Sequence, residues 1–187
     1  MRIDPTGQYG IDVHLMMTTV LARAAGFSSE IATSIGREAQ LVDDDERGPY
    51  RGTLQRLLWH FPEKNRPKEL WNKFEYSKNI NDLGQFIHVF QDSFSHAGYG
   101  PVIGHGLAMH NPDDTSLRPE LAMSMAEKTY NKLIDAAQLL EINKKSQIKF
   151  NNIKKLLYEY ITTDNIENKQ NILLNINNKI DIINNNQ

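Results

Sequence analysis

The chain has 187 residues, with 21 basic and 23 acidic side chains, a formal net charge of -2 and 40% hydrophobic residues. This length suffices for one domain with a sizeable core, and the balanced charge gives no global attraction to nucleic acid, which leaves only a local basic groove open. Cysteine is absent, so disulfides and thiolate sites are excluded and metal ligands are restricted to His, Asp, Glu and main-chain groups. No apolar run reaches the roughly 20 residues that span a bilayer, and the start lacks the pattern of a signal peptide.

Two helices are predicted in the first quarter of the chain. Apolar residues at helical spacing indicate one helix over residues 12–25, with His14 near its start. A start signal at residues 28–30 and a further apolar stripe indicate a second over residues 28–42, which runs into the acidic residues 43–46. Acidic runs are usually solvated, so two interpretations stand side by side: a solvated helix end, or a ligand pointing inward, with Asp43 favoured over Asp44 and Asp45.

Residues 48–76 carry fewer indications of secondary structure or of a site. Residues 48–56 are predicted to form a loop, and residues 57–62 form an apolar patch that contains His60. Residues 63–76 mix charges with Leu70, Trp71 and Phe74, which is typical of a mobile or surface segment ahead of a short helix. His60 alone does not indicate a site.

The most informative stretch is residues 83–96, a predicted central helix with its N-cap at Asn81-Asp82 and its end at about residue 97. His88, Asp92 and His96 are spaced i, i+4 and i+8, so they share one face of a helix that is otherwise apolar. Buried imidazoles and carboxylates need partners, and one divalent cation satisfies three of them at once. The alternative is a core helix whose histidines hydrogen-bond to backbone carbonyls.

After the central helix, a glycine-rich loop over residues 98–106 contains His105, and His110 and Asp114 follow four residues apart. A further helix is predicted over residues 118–140, and all six histidines precede it. Residues 141–187 are rich in Asn, Lys and Ile and are predicted to form two amphipathic helices, over residues 148–161 and 166–180. We expect these helices to pack on the main bundle or on a partner rather than to attach to a membrane.

The predicted fold is therefore all-α: a single helical domain around a central metal-binding helix, with a C-terminal helical appendage. Its expected divisions are a junction at residues 1–11, a metal-dependent domain at 12–140 and a helical extension at 141–187. Because catalytic zinc sites use three protein ligands and keep a position for water, the candidate ligands are sufficient for two or three zinc ions. Eight residues make up this candidate set: His14, Asp43, His60, His88, Asp92, His96, His110 and Asp114.

The spacing of these residues resembles the zinc-dependent phospholipase C and single-strand-specific nuclease superfamily. That all-helical family carries H-x-x-x-D on a central helix, then a His, then a later H-x-x-x-E or H-x-x-x-D, here His88 to Asp92, His96, and His110 to Asp114. The sequence QDSFSH at residues 91–96 also resembles the heterokaryon-incompatibility-type branch. The resemblance covers roughly residues 12–140.

The resemblance implies how the ligands are grouped. One ion would be held by Asp43, His60, His88 and Asp92; a second by His96, His110 and Asp114; and a third by His14, with Asp92 as a bridge. Secreted members of the family use an N-terminal Trp at the third ion, and no Trp precedes His14 here. Either Asp12 replaces it through its carboxylate, or the cluster is dinuclear.

The activity that the resemblance implies is hydrolysis of a phosphodiester by a zinc-activated water, with Asp43 and Asp92 as the catalytic carboxylates. The near-neutral charge favours a phospholipid substrate, whereas H-x-x-x-D at His110 is closer to the nuclease branch. Two non-enzymatic alternatives remain: a binding module with structural zinc, and a metal-free scaffold with satisfied buried histidines.

Asp4-Pro5-Thr6-Gly7 forms a turn signal by itself, and it also resembles the Asp-Pro-x-Gly motif that precedes the C-terminal toxin domain of Rhs-type polymorphic toxins. This resemblance implies a toxin that is secreted by a dedicated delivery system as part of a larger parent, and that acts in the target cell. It also implies a cognate immunity protein. We expect the loop at residues 98–106, with His105, to be the surface that such a protein blocks.

Overall fold

The computed structural model describes residues 10–95 and 115–186. In these ranges every regular element is helical and no residue lies in a strand, so the expected all-α single domain is confirmed. Eight α-helices lie within the described residues: α1 (Thr18–Ala24), α2 (Ser29–Asp44), α3 (Thr53–Gln55), α4 (Arg66–Ser77), α5 (Ile80–Ser95), α6 (Pro119–Leu139), α7 (Phe150–Ile161) and α8 (Ile166–Asn185). Two π-helical turns, Asp12–Met17 and Arg56–His60, and two 3₁₀ turns, Pro49–Arg51 and Lys144–Ser146, connect them.

Helix α5 lies at the centre of the bundle, packed against α2, α4, α6 and both π-helical turns. It is capped by Asn79, whose Oδ1 accepts from the backbone N–H of Asn81 at 2.9 Å. The predicted cap at Asn81-Asp82 is therefore two residues late. The Asp82 carboxylate instead accepts from Ser77 Oγ at 2.6 Å and pairs with Lys73 Nζ at 2.7 Å, contacts to the preceding helix that local sequence does not reveal.

The close packing of α5 on α2 depends on a glycine. A Cβ atom added at Gly84 would lie 3.0 Å from the carbonyl oxygen of Ile35 and 3.1 Å from the backbone nitrogen of Ala39. These distances are shorter than ordinary contacts, so only glycine lets the two backbones approach this closely. The approach brings Asp43, at the end of α2, beside the polar face of α5.

Residues 63–76 differ from the expectation of a mobile or surface segment. They contain most of α4, whose Leu70 and Phe74 are buried in the core. Lys78, in a left-handed conformation with φ 52°, ends the helix. The segment was misjudged because its many charges lie on the solvent-facing side, while Leu70 and Phe74, four apart, and the partly buried Trp71 carry the packing.

The two predicted C-terminal helices are present as α7 and α8. Their apolar residues join the same hydrophobic core as α1, α2 and α5, including the fully buried Ile153, Leu157 and Ile176. They therefore pack on the main bundle, as expected, rather than standing apart from it. In the described part of the chain, no helix has the length and apolar character needed to cross a membrane.

Candidate metal centre

Five of the eight candidate ligands lie together at the centre of the bundle. His14 and His60 come from the two π-helical turns, Asp43 from the last turn of α2, and His88 and Asp92 from α5. The four other than Asp43 have no exposed side-chain surface, and Asp43 is 13% exposed. π-Helical turns insert a residue into a helix and often occur at functional sites, and here each turns a histidine toward the same point.

Four ligand atoms, from His60, His88, Asp92 and Asp43, lie close together. His60 Nδ1 lies 3.2 Å from His88 Nε2, 3.4 Å from Asp92 Oδ2 and 3.6 Å from Asp43 Oδ1. His88 Nε2 lies 3.3 Å from Asp92 Oδ2 and 3.8 Å from Asp43 Oδ1. Zinc–ligand bonds of about 2.0–2.1 Å imply edges of roughly 3.3–3.4 Å in a tetrahedron. The three edges among His60, His88 and Asp92 are close to this length, and those from Asp43 Oδ1 to the two histidines are longer, at 3.6 and 3.8 Å. The donor atoms therefore suit a small divalent cation.

The other oxygens of the two carboxylates face His14. Its Nε2 lies 3.2 Å from Asp92 Oδ1 and 3.9 Å from Asp43 Oδ2. His14, His88 and Asp92 form a second group whose ligand atoms all lie within 4.8 Å of one another. Each carboxylate thus directs one oxygen toward His60 and His88 and the other toward His14, which is the arrangement that a bridging ligand needs.

Hydrogen bonds orient two of the rings for metal binding. His60 Nε2 lies 3.0 Å from the carbonyl oxygen of Arg47, which can only accept, so Nε2 carries the proton and Nδ1 faces the carboxylates. His14 Nδ1 lies 2.9 Å from Gln91 Oε1, which leaves Nε2 facing Asp92. A ligand histidine that donates its other ring N–H in this way has a fixed tautomer and ring orientation.

The ring of His88 is oriented by packing instead. Its centroid lies 4.1 Å from that of His14 and 5.1 Å from that of His60. His88 Nδ1 is buried, and no described residue is within hydrogen-bond reach of it.

The electrostatics follow from burying two carboxylates among three imidazoles. Burial by itself lowers the pKa of His14, but the hydrogen bond to Asp92 and the charges of Asp92 and Asp43 outweigh it and raise the pKa to about 9. Burial, together with the nearby charge of His14, lowers the pKa of His88 to about 3. Burial opposes ionisation of Asp92, yet the surrounding histidines hold its pKa well below the usual range. The cluster therefore needs positive charge, which either a proton on His14 or a cation supplies.

The acidic run after α2 separates into different roles. Asp43 faces the cluster, whereas Asp45 binds the guanidinium of Arg47, with Nε 2.9 Å from both carboxylate oxygens, and Asp44 is exposed. Asp12, the suggested substitute for an N-terminal Trp, instead directs its carboxylate to Lys169 Nζ at 2.6 Å.

The other proposed ligands, His96, His110 and Asp114, lie outside the described residues. The same holds for Asp4-Pro5-Thr6-Gly7 and for the loop at residues 98–106 with His105. Their grouping stays a prediction.

Sequence reasoning missed three supporting residues. Gln91 is hydrogen-bonded to His14 and donates its amide N–H to Thr18. The backbone carbonyl of Arg47 accepts from His60. Gln91 is fully buried in the structure. The sequence signal for it was an amide side chain directly before Asp92 in an otherwise apolar helix. A carbonyl contact such as that of Arg47 has no side-chain signature.

Comparison with known proteins gives one similarity. Residues 10–72 match the model of a family of unknown function, DUF6765, and this stretch contains His14, Asp43 and His60. No curated protein and no solved structure matches the chain. The matched stretch is well under half of the chain, and its description carries no activity.

Proposed function

We propose that the protein is a zinc-dependent phosphodiester hydrolase. The observation that carries the proposal is the convergence of His14, Asp43, His60, His88 and Asp92, in which each of the two carboxylates faces both His14 and His60. This donor set of imidazole and carboxylate, without thiolate, suits zinc bound for hydrolytic chemistry. The resemblance to the zinc-dependent phospholipase C and nuclease superfamily supplies the reaction class.

The arrangement favours a metal site over an ordinary polar core. The lone pair of His60 Nδ1 faces a buried oxygen of Asp92 at 3.4 Å, a contact between like partial charges unless a cation or proton lies between them. A satisfied core histidine would direct both nitrogens to groups of complementary charge. Structural zinc in a binding module uses the same ligands, so activity measurements separate that alternative from an enzyme.

Each residue has a role that follows from its position. Asp43, His60, His88 and Asp92 would hold one ion, and His14 with Asp92 a second. Bound zinc supplies Lewis acidity: it lowers the pKa of water to about 7 and stabilises charge developing on a phosphoryl group. Asp43 has the only exposed side-chain surface among the five clustered ligands, so substrate and water reach the site from its side. Its carboxylate is also placed to accept a proton from the attacking water.

We propose a phospholipid as the substrate, and a phospholipase C-like reaction, because the chain lacks the net positive charge common in enzymes that act on nucleic acid. A single-stranded nucleic acid is the second candidate, and one feature favours it. Next to His60, the ring of Trp59 lies 5.4 Å from the guanidinium of Arg47 and 5.1 Å from that of Arg66. Aromatic and basic groups are combined in this way where proteins bind single strands.

The first experiment is elemental analysis of the purified protein before and after chelation. We expect two or three zinc ions per chain, and a loss of thermal stability when they are removed, because metal binding contributes directly to folding. Fewer than one bound metal ion, with no change in stability on chelation, would contradict the proposal. His88→Ala is the matched variant, which we expect to lose most of the metal.

The second experiment separates the substrates. The zinc-loaded protein is incubated with phosphatidylcholine vesicles and with single-stranded DNA, and release of phosphocholine or of nucleotides is measured. We expect phosphocholine from the wild-type protein and none from His88→Ala. DNA cleavage without lipid hydrolysis would support the nuclease, and zinc-loaded protein inactive on both would support a binding module.

We further propose that the chain acts as a toxin domain of an Rhs-like parent, blocked by an immunity protein. The support is the resemblance at Asp4-Pro5-Thr6-Gly7 alone. Expression in bacteria, in cytoplasmic and periplasm-directed forms, tests it. We expect toxicity that disappears in His88→Ala, whereas harmless expression of a protein active in vitro would contradict a toxin role.

A further inference from the structure

A buried chain of hydrogen bonds supports His14 from the side opposite the carboxylates. It runs from the carbonyl oxygen of Val13 to Thr18 Oγ1 at 3.2 Å, from Thr18 Oγ1 to Gln91 Nε2 at 2.9 Å, and from Gln91 Oε1 to His14 Nδ1 at 2.9 Å. Thr18, Gln91 and His14 are all fully buried. Thr18 and Gln91 are not among the metal-ligand groups, and Gln91 enters the sequence analysis only as the first residue of the QDSFSH motif.

The direction of every bond in this chain is determined by its first member. A carbonyl oxygen can only accept, so Thr18 donates its hydroxyl hydrogen to Val13 and has only lone pairs left for Gln91. The amide nitrogen of Gln91 must then face Thr18, which turns its oxygen toward His14. That oxygen accepts the Nδ1 hydrogen of His14, and the lone pair of the neutral ring is left on Nε2, 3.2 Å from Asp92 Oδ1.

A reversed amide would have the opposite effect on the ring. Gln91 would then offer an N–H to His14 Nδ1, and the ring would keep its own hydrogen on Nε2, where a metal ion must bind. Thr18 opposes this reversal, because its hydroxyl could satisfy a turned-over amide oxygen only by giving up its bond to Val13. The hydroxyl of a residue remote from the carboxylates therefore selects the form of His14 that can act as a ligand.

We infer that Gln91 and Thr18 are positioning residues that fix His14 as the Nδ1–H tautomer and so make its Nε2 available to a metal ion. The inference rests on the proposed metal site for its functional meaning. The hydrogen bond from His14 Nδ1 to Gln91 is a property of the protein itself and is measurable without metal.

The test uses two pairs of variants in the full chain. Gln91→Met removes the acceptor at similar volume, whereas Gln91→Glu keeps an oxygen facing Nδ1. Thr18→Val removes the hydroxyl at similar volume, whereas Thr18→Ser keeps it. The second pair leaves Gln91 unchanged, so the inference remains testable if Gln91→Met fails to fold. Circular dichroism establishes which variants are folded.

Two readouts distinguish positioning from general packing. Long-range ¹H–¹⁵N NMR of His14 reports which ring nitrogen carries the hydrogen in zinc-loaded protein, and whether a hydrogen-bonded Nδ1–H is present in chelated protein. We expect the Nδ1–H tautomer in wild type, Gln91→Glu and Thr18→Ser, and a loss of that preference in Gln91→Met and Thr18→Val. Zinc titration should show affinity at the His14 position reduced by about 10–100-fold in the latter two variants only.

An unchanged tautomer and unchanged zinc affinity in folded Gln91→Met and Thr18→Val would overturn the inference. The two proposals fail separately. If wild-type protein binds no zinc but shows the hydrogen-bonded Nδ1–H of His14, which the two variants lose, the metal-site proposal fails and the positioning of the ring stands. If zinc binds normally while the variants leave the tautomer unchanged, only the positioning role fails.

Discussion

Asp92 occupies the centre of the cluster, with no exposed surface, one oxygen directed to His14 and the other to His60 and His88. Asp43 also directs one oxygen to His14 and the other to His60 and His88, but at longer distances, and 13% of its side chain is exposed. Both carboxylates are therefore placed to bridge two ions. Asp92 makes the shorter contacts to the three histidines, so its charge matters more.

Asp92→Asn is expected to lower zinc content by at least one ion per chain and to abolish hydrolysis, because the substitution keeps the shape but removes the charge that two positions share. Elemental analysis and the phosphocholine assay measure the two effects together. Asp45→Asn is the control from the neighbouring acidic run. It loses only the partly exposed pair with Arg47, worth about 0–1 kcal/mol, and should keep its zinc. An Asp92→Asn protein with full metal and activity would exclude the bridging role.

Proton release should accompany zinc binding at the His14 position. Since the pKa of His14 is raised to about 9, the ring carries an additional proton at neutral pH in the metal-free protein, and a metal ion must displace it from Nε2. Calorimetry in buffers of different ionisation enthalpy should show about one proton released per chain near pH 7.5, and fewer above pH 9. His14→Asn should abolish this proton release. Zinc binding without any buffer dependence would contradict the raised pKa.

The same groups predict how the metal-free protein responds to pH. The pKa of His14 rises from 6.5 to about 9 on folding, so its stabilisation is complete below pH 6.5 and is lost as pH rises toward 9. The pKa of His88 falls from 6.5 to about 3, so its contribution is complete above pH 6.5 and is lost as pH falls toward 3. Urea unfolding of chelated protein should therefore give maximal stability near pH 6.5. His14→Asn should flatten the alkaline side and, because the charge of His14 helps to lower the pKa of His88, weaken the acid side in part. A wild-type maximum near pH 9 would contradict this assignment.

At the scale of elements, periodicity predicted the helices better than the connections. Helix α5 was readable because His88 and Asp92 interrupt an apolar sequence at a spacing that places them on one face. The π-helical turns that carry His14 and His60 were not predictable from the sequence. Their backbone hydrogen bonds, such as that of 2.7 Å from Phe61 N to Arg56 O, join residues five apart, and no pattern of residue types indicates them. The five clustered residues were therefore predictable from the sequence as candidate ligands. The orientation of the histidine rings toward one point depends on tertiary contacts and was not predictable.

The contact between α2 and α5 gives a prediction at this scale. Gly84→Ala should destabilise the protein by about 1–3 kcal/mol, since the new methyl group must push apart two backbones that carry Asp43 and Asp92. Zinc content should fall with it. Gln85→Ala, one residue further along the same helix and only half-buried, is the control for helix propensity. Thermal unfolding and elemental analysis of both variants make the comparison, and equal behaviour of the two would contradict the close-packing argument.

At the scale of the whole molecule, the C-terminal helices are tied to the first turn of the fold. Lys169 Nζ pairs with the Asp12 carboxylate at 2.6 Å, and Tyr160 donates its hydroxyl to the Asp12 carbonyl oxygen at 2.6 Å. The sequence predicted amphipathic helices here but not their docking site, because contacts between residues 12 and 169 leave no local pattern. Asp12 begins the π-helical turn that carries His14, so residues remote in sequence hold one side of the candidate metal centre.

Lys169→Met tests whether this connection reaches the site. The substitution keeps most of the side-chain volume but leaves the Asp12 carboxylate, 26% exposed, without its charged partner. Loss of a hydrogen bond to a charged group costs about 1.5–3 kcal/mol. Asp12→Asn combined with Lys169→Met should recover part of this loss, and urea unfolding of the single and double variants measures the coupling.

Because the turn is anchored at Asp12, the affinity for zinc bound through His14 should fall in Lys169→Met, whereas the affinity for zinc bound by His60 and His88 should not. A uniform loss of all zinc would instead mean that the helices stabilise the fold without acting on His14 in particular.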